Sequence, residues 1–505
     1  MTTVLSGQTR TLLNLRWTMV RNPRSRLGLA LMAGSAVGLL VGAVLVGARL
    51  ADAGDQSFGI ALVMPSMLLG FALSAVISPL AAGGGNQLFP PEQLAAFPIR
   101  PSTHFRSSLL LTPINLAWLL QVVALGAATA FVLGSGARLI LALAVTGTYI
   151  AFVTVAGQAT AWLIVGVRQS RAGRATLLAM AAVLMAGVVA LLAGDRLIDV
   201  LDRSPTTVVV TAMANAHGGD LLSWLPHLVA LALATCAVYL AGVRACAWTL
   251  RTPSVASGSH DARTVRRRPR AMTQLGQMLA VDRSNVWRST SLRRGLYVLG
   301  LLPGAVAALV GIRWVDLPML PALVAAGAGM LFGVNAFCLD ASGALWLASL
   351  PVSARLTFVV RSLTILEVGL VTVVIATAAG SLRAEGPADL TAIIATMCCG
   401  AAALAWVTST CMRLSITRPH RAELRDARDT PAPPGAMAVY SVRLAVGTTS
   451  IGMAFLLVAR IDDPVLPILL AICIVLWSAR SLLVSHRLWQ NAGIRARVVA
   501  TVSTG

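Results

Sequence analysis

Lysine is absent, and all 40 basic residues of the chain are arginine. A P-loop needs a lysine to reach the β- and γ-phosphates, and Schiff-base chemistry needs a side-chain amine. The chain is therefore not a P-loop ATPase by itself, nor a Schiff-base enzyme. Charge of either sign is scarce, at 12% of residues against about 25% in soluble proteins, and that excludes a water-soluble fold. Metal-type cysteine spacing is missing too. The seven cysteines (Cys236, Cys246, Cys338, Cys398, Cys399, Cys411 and Cys473) lie in or beside apolar runs with no CxxC pair, and they read as small apolar side chains. No cleavable signal peptide is visible, because the first 26 residues are polar and basic and the first apolar run is already a full span.

What the chain has in abundance is apolar sequence, 57% of residues with a mean hydropathy of +0.79. A stretch of about twenty apolar residues crosses a hydrocarbon core of about 30 Å as a helix. Twelve such spans are read, at 27–48, 58–80, 107–133, 139–167, 175–193, 221–249, 295–312, 317–338, 361–380, 389–411, 438–459 and 464–484. The formal charge of +21 would suggest nucleic acid in a soluble protein, but here the arginines sort by loop. Arg10, Arg16, Arg21, Arg24 and Arg26 precede the first span, and nine arginines from Arg263 to Arg294 separate the sixth from the seventh. Every second loop is basic, as the positive-inside rule requires. That phase places both termini in the cytoplasm and the protein in the inner (cytoplasmic) membrane, with the lipid bilayer and not nucleic acid as its surroundings.

A Ser-, Arg- and Pro-rich stretch at 251–270 reads as a cytoplasmic linker between residues 1–250 and 271–505, with six spans on each side. The inner loop after the second span of each half repeats a pattern. It runs Glu92-Gln93-Leu94-Ala95-Ala96-Phe97-Pro98-Ile99-Arg100 in the first and Ala344-Leu345-Trp346-Leu347-Ala348-Ser349-Leu350-Pro351-Val352-Ser353-Ala354-Arg355 in the second. Both are short amphipathic helical turns stopped by an apolar-Pro pair; Glu92 suits a helix start and Asp340 an N-cap. The expected fold class is an all-α polytopic membrane protein of about twelve transmembrane helices, built as two parallel six-helix repeats. Before the seventh span, Met272, Leu275, Leu279 and Val286 share one helical face and Gln274, Gln277, Ser284 and Arg288 the other, which predicts an interfacial helix; Thr11 to Val20 is its first-half counterpart. The outer segment Gly194–Asp220 is too apolar for a free loop and is expected to be a partly helical cap.

The amphipathic helix before the first span, the helical loop ending in Leu-Pro-x-Ser or a variant, and the long outer loop before the sixth span together resemble the permease subunits of ABC-2 type exporters. A duplicated chain is similar to the fused twelve-span actinobacterial variants, several of which are associated with drug or antibiotic export. The resemblance implies outward movement of a hydrophobic or amphipathic substrate, with ATP and Mg bound on two separate ABC ATPase subunits. It implies no catalytic residue, cofactor or metal in this chain, and no obligate second permease chain. It also implies that Glu92, Phe97, Arg100, Asp340, Trp346, Leu350 and Arg355 form ATPase-coupling loops. Phe97, Trp346 and Leu350 would be apolar knobs and the arginines their rim. The short Arg460–Pro464 loop, where the first half has Gly194–Asp220, departs from a symmetric pair of outer hairpins.

Polar groups in spans are costly and often functional. Asn115, Gln121, Gln158, Asn335 and Glu367 are candidates to line a translocation path, against the plainer role of hydrogen bonding between helices; Glu367 also suits an interfacial ion pair with Arg361. Two other classes stay open. A secondary transporter of the major facilitator type has the same topology but usually carries a Gly-x-x-x-Asp-Arg motif after its second span, where this chain has a Pro-bounded amphipathic segment. A membrane glycosyltransferase would need outward carboxylates, for which Asp52 and Asp55 are the candidates; His217, Asp220 and His227 make no convincing metal set.

Overall fold

The computed structural model describes residues 7–12, 14, 23–51, 56–82, 97, 99–114, 116–136, 138–170, 204–252, 273–340, 343–420, 434–461 and 463–503, with scattered positions between 173 and 194. The chain divides into two compact units, Met1–Arg263 and Thr264–Gly505. Most of the expected linker at 251–270 lies outside the described residues.

The first unit contains α1 (Pro23–Ala51), α2 (Gln56–Ala82), α3 (Pro101–Leu111), α4 (Leu116–Leu133), α5 (Leu139–Gln169), α6 (Pro205–Gly218) and α7 (Leu221–Arg251). The main pairings are α1 with α4 and α5 with α7, and α2 packs on α4 and α5. Small residues let these backbones approach, as expected where lipid offers no hydrophobic drive to association. A β-carbon on Gly47 would lie 2.6 Å from the Ala127 carbonyl oxygen, and one on Gly157 would lie 2.8 Å from that of Ala75. The third expected span is interrupted. Pro113 has no N–H for a helical ladder, and a 3-10 turn at Thr112–Ile114 separates α3 from α4. The fifth, at 175–193, is described only at scattered positions, which are helical.

Within Gly194–Asp220 the chain forms α6, whose Ala212, Met213 and Ala216 are buried against α2 and α5. Its first turn reaches the interior of α2, where the Thr206 hydroxyl donates to the Pro65 carbonyl at 3.0 Å. Its last turn accepts from Arg138 at the head of α5, on the Gly218 carbonyl at 3.1 Å. Gly219, at φ +83°, provides the left-handed stop, and Asp220 caps α7 by accepting from the Ser223 N–H. Ahead of α1 the chain is helical over 7–12, and Gln8 accepts from the Thr103 hydroxyl at 3.2 Å. Most of Thr11 to Val20 lies outside the described residues.

The second unit contains α8 (Gln274–Arg288), α9 (Thr290–Val310), α10 (Met319–Ala328), α11 (Gly343–Ser349), α12 (Ala354–Ser381), α13 (Leu390–Thr417), α14 (Pro434–Val458), α15 (Val465–Gln490) and α16 (Ala492–Ser503). Here the main pairings are α9 with α12 and α13 with α15, around a central α10. The eighth expected span, 317–338, opens as α10 and then loses α-helical geometry. A π turn at Gly329–Gly333 and a 3-10 turn at Ala336–Asp340 follow. The two glycines press on α13, where added β-carbons would meet Val407 at 2.6 Å and Cys411 at 2.5 Å. Ser415 of α13 satisfies the opened backbone, donating to the Gly333 carbonyl at 3.1 Å and accepting from the Ala336 N–H at 2.9 Å. Irregular backbone at membrane depth is tolerated where protein buries it in this way.

Among the described residues, seven helices are long and apolar enough to cross a membrane, and four shorter apolar helices accompany them. No strand occurs there beyond an isolated bridge between Arg313 and Glu385. The chain is an all-helical, multi-pass membrane protein.

Candidate functional site

The apolar stripe of α8 carries one acid. Leu275, Leu279 and Val286 recur at helical spacing, and Asp282 falls on the same face. Val286 and Asp282 are 2% and 4% exposed. The Asp282 carboxylate stands 3.4 Å from Nη1 of Arg361 on α12 and accepts from the Thr364 hydroxyl at 3.3 Å. Nη2 of the same guanidinium donates to Asp340 at 2.5 Å, so one buried arginine holds two carboxylates. Burial pushes the Asp282 carboxyl above its ordinary range, while the Arg361 charge pulls it back and Asp340 adds to the rise. The next residue, Arg283, points the other way and pairs with Glu367 on the exposed side of α12 at 2.9 Å. Adjacent residues of α8 thus tie it to two faces of α12.

The loop carried by this base ends in α11. Trp346 is 79% exposed, and Leu345 and Leu350 are also exposed. Past Pro351 the chain turns sharply, with the Val352 N–H donating to the Leu350 carbonyl at 2.7 Å, and Ser353 caps α12 through the Leu356 N–H at 3.2 Å. Arg355 is exposed in the first turn of α12. Asp340, expected as the N-cap of the loop helix, precedes the start of α11 at Gly343 and gives its carboxylate to Arg361 instead. In the first unit Phe97 is exposed, the Ile99 N–H donates to its carbonyl at 2.8 Å, and Arg100 occupies the N-cap position of α3 without a side-chain cap bond. Glu92 lies outside the described residues, as do Asn115, Asp52 and Asp55.

The polar residues of the spans bond to nearby segments of their own unit. Gln121 donates to Ser74 at 3.0 Å, linking α4 to α2, and Gln158 donates to Thr112 at 3.1 Å. Asn335 donates to the His420 carbonyl at 2.5 Å. Sequence reasoning missed Asp282 and Trp489, and it expected Arg361 to pair with Glu367, whereas Arg361 holds Asp282 and Asp340 and Glu367 pairs with Arg283. The signal for Asp282 was an acid on an apolar stripe and that for Arg361 an arginine at the boundary of a span; for Trp489 there was none. All seven cysteines are free thiols, and no group of three potential metal ligands occurs among the described residues. Comparison with models of known protein families, with curated proteins and with solved structures gives no match.

Proposed function

We propose that the chain is the permease subunit of an ABC exporter, made of two fused six-span repeats and driven by ATPase subunits that dock on the loops at Phe97 and Trp346. The observation that carries the reading is α11 and the residue that follows it, which leave Leu345, Trp346 and Leu350 exposed on a base locked by buried ion pairs. Exposed aromatic anchors on a fixed base are what a partner's groove recognises.

Matched details support the fusion. The turn at Phe97–Ile99 has its counterpart at Leu350–Val352. Eight residues after Phe97 and Leu350 stand Phe105 and Phe358, each edge-on to a ring of a later helix of its own half: Tyr239 of α7 at 5.5 Å and His486 of α15 at 5.2 Å. Gly47 of α1 abuts the Ala127 carbonyl of α4, and Gly304 of α9 abuts that of Ala376 in α12. In this reading the substrate is hydrophobic or amphipathic and moves outward.

Replacing Trp346 and Leu350 together by alanine is expected to release the ATPase at least tenfold in a quantitative pull-down, since each anchor is worth about 2 kcal/mol or more. Permease abundance should stay unchanged, because both side chains are exposed and pack on little of the chain itself. Retained ATPase with a destabilised permease would mean that these residues only anchor the loop to its own protein.

A further inference from the structure

The exposed helix α11 is held at its ends. Asp340 closes one side of its stem onto Arg361. Phe337, just before the loop, stacks on Trp489 at the end of α15 with centroids 4.2 Å apart and planes at 6°. Trp489 also donates its indole N–H to the Thr357 hydroxyl, just after the loop, at 3.1 Å. One side chain, 3% exposed, therefore bridges the two arms of the stem, the 3-10 turn at Phe337 and the first turn of α12. The Arg361 guanidinium also lies over the Phe337 ring, 6.0 Å from its centroid. The helix after Trp489, α16, packs on α11 and buries Val498 and Val502, and the Arg497 guanidinium reaches the Ile416 carbonyl at the end of α13 at 3.5 Å. Between α11, α12 and α16 a cavity of about 110 Å³ remains, lined by Leu347, Ala348, Arg361, Trp489 and Val502. A helix with a void beneath it depends on its stem for position.

We propose that Trp489 is the positioning residue of the second docking loop, clamping Phe337 to Thr357 so that Trp346 and Leu350 are presented in one fixed geometry, with α16 as the brace that seats it. What docks there rests on the exporter reading, but the clamp itself does not. Each clamp contact constrains backbone that would otherwise open locally, and local opening is read by amide exchange.

The test is hydrogen exchange by mass spectrometry on the full chain in nanodiscs, comparing wild type with Trp489→Ala, Trp489→Phe and Thr357→Val. Exchange across 343–353 is expected to rise about tenfold in Trp489→Ala, since an aromatic pair and a hydrogen bond are lost together. It should rise only a few-fold in Trp489→Phe, which keeps the stack, and in Thr357→Val, which removes only the hydrogen bond. Exchange at 390–400, far along α13, should not change. Unchanged exchange at 343–353, or an equal rise through α12 and α13, would overturn the proposal; if Trp489→Ala does not accumulate, Thr357→Val decides. A loop that responds as expected in a chain that binds no ATPase would refute the exporter reading and leave the clamp standing.

Discussion

Arg361→Leu is expected to destabilise the second unit by about 3–5 kcal/mol, the usual consequence of stripping a buried charge of its partner. The guanidinium is 4% exposed and is the countercharge for both Asp282 and Asp340. Without it, two carboxylates remain within a low-dielectric pocket. The loss should depend on pH, and its sign follows from the carboxyl shift. Asp282 already titrates above its unfolded value because of burial, and Arg361 opposes that rise. Removing Arg361 raises it further, so the variant holds its proton more tightly folded than unfolded. Stability from such a group is complete below the unfolded pKa and is lost as pH climbs through the folded one. The deficit measured by thermal unfolding should therefore shrink from pH 8 toward pH 5. Adding Asp282→Asn and Asp340→Asn to Arg361→Leu should recover much of it. A pH-independent loss, or no recovery, would mean that Arg361 matters for packing alone.

Gly304→Ala should cost about 1–3 kcal/mol, and Gly304→Leu more, through overpacking at the contact between α9 and α12. The added β-carbon would sit 2.3 Å from the Ala376 carbonyl oxygen and 2.8 Å from the Ala379 β-carbon. Backbone cannot yield there without parting the two helices, and lipid gives them no hydrophobic reason to close again. Gly300, one turn earlier on the same face, is the internal control. A β-carbon there meets Ile375 at 3.8 Å and the Thr372 Cα at 3.9 Å, both ordinary contacts. Gly300→Ala should thus be neutral or slightly stabilising, alanine being the better helix former by about 1 kcal/mol. Thermal unfolding of the two variants side by side checks this, and equal effects would contradict the close approach.

Most spans were legible because their length and apolarity are one-dimensional properties. The two that break depend on neighbours. Pro113, a local signal that the reading of 107–133 as one span passed over, ends α3, but nothing local reveals that Gly329 and Gly333 lie against Cys411 and that Ser415 repairs the opened backbone. The site was legible in the same partial way. Exposed Trp346 and Leu350 followed from an amphipathic turn ahead of a proline. The partner of Glu367 did not, because Arg283 lies in a different element and Arg361 was nearer in sequence. Asp282 was visible as an acid on an apolar stripe, yet an acid at that spacing has meaning only once a buried arginine faces it. Trp489 could not be read as a clamp at all, since Phe337 and Thr357 are brought to it by the fold.

The most direct test of the exporter account is to purify the chain from its own membrane in mild detergent, identify what remains bound, and measure ATP hydrolysis by the assembly. The account expects two copies of a P-loop ATPase per chain, one on each docking loop, and this chain has no lysine for a phosphate loop of its own. Both the association and the hydrolysis should fall when Trp346 and Leu350 are alanine. A chain that purifies without any ATPase, and whose substrate movement follows an imposed proton gradient in vesicles free of ATP, would contradict it.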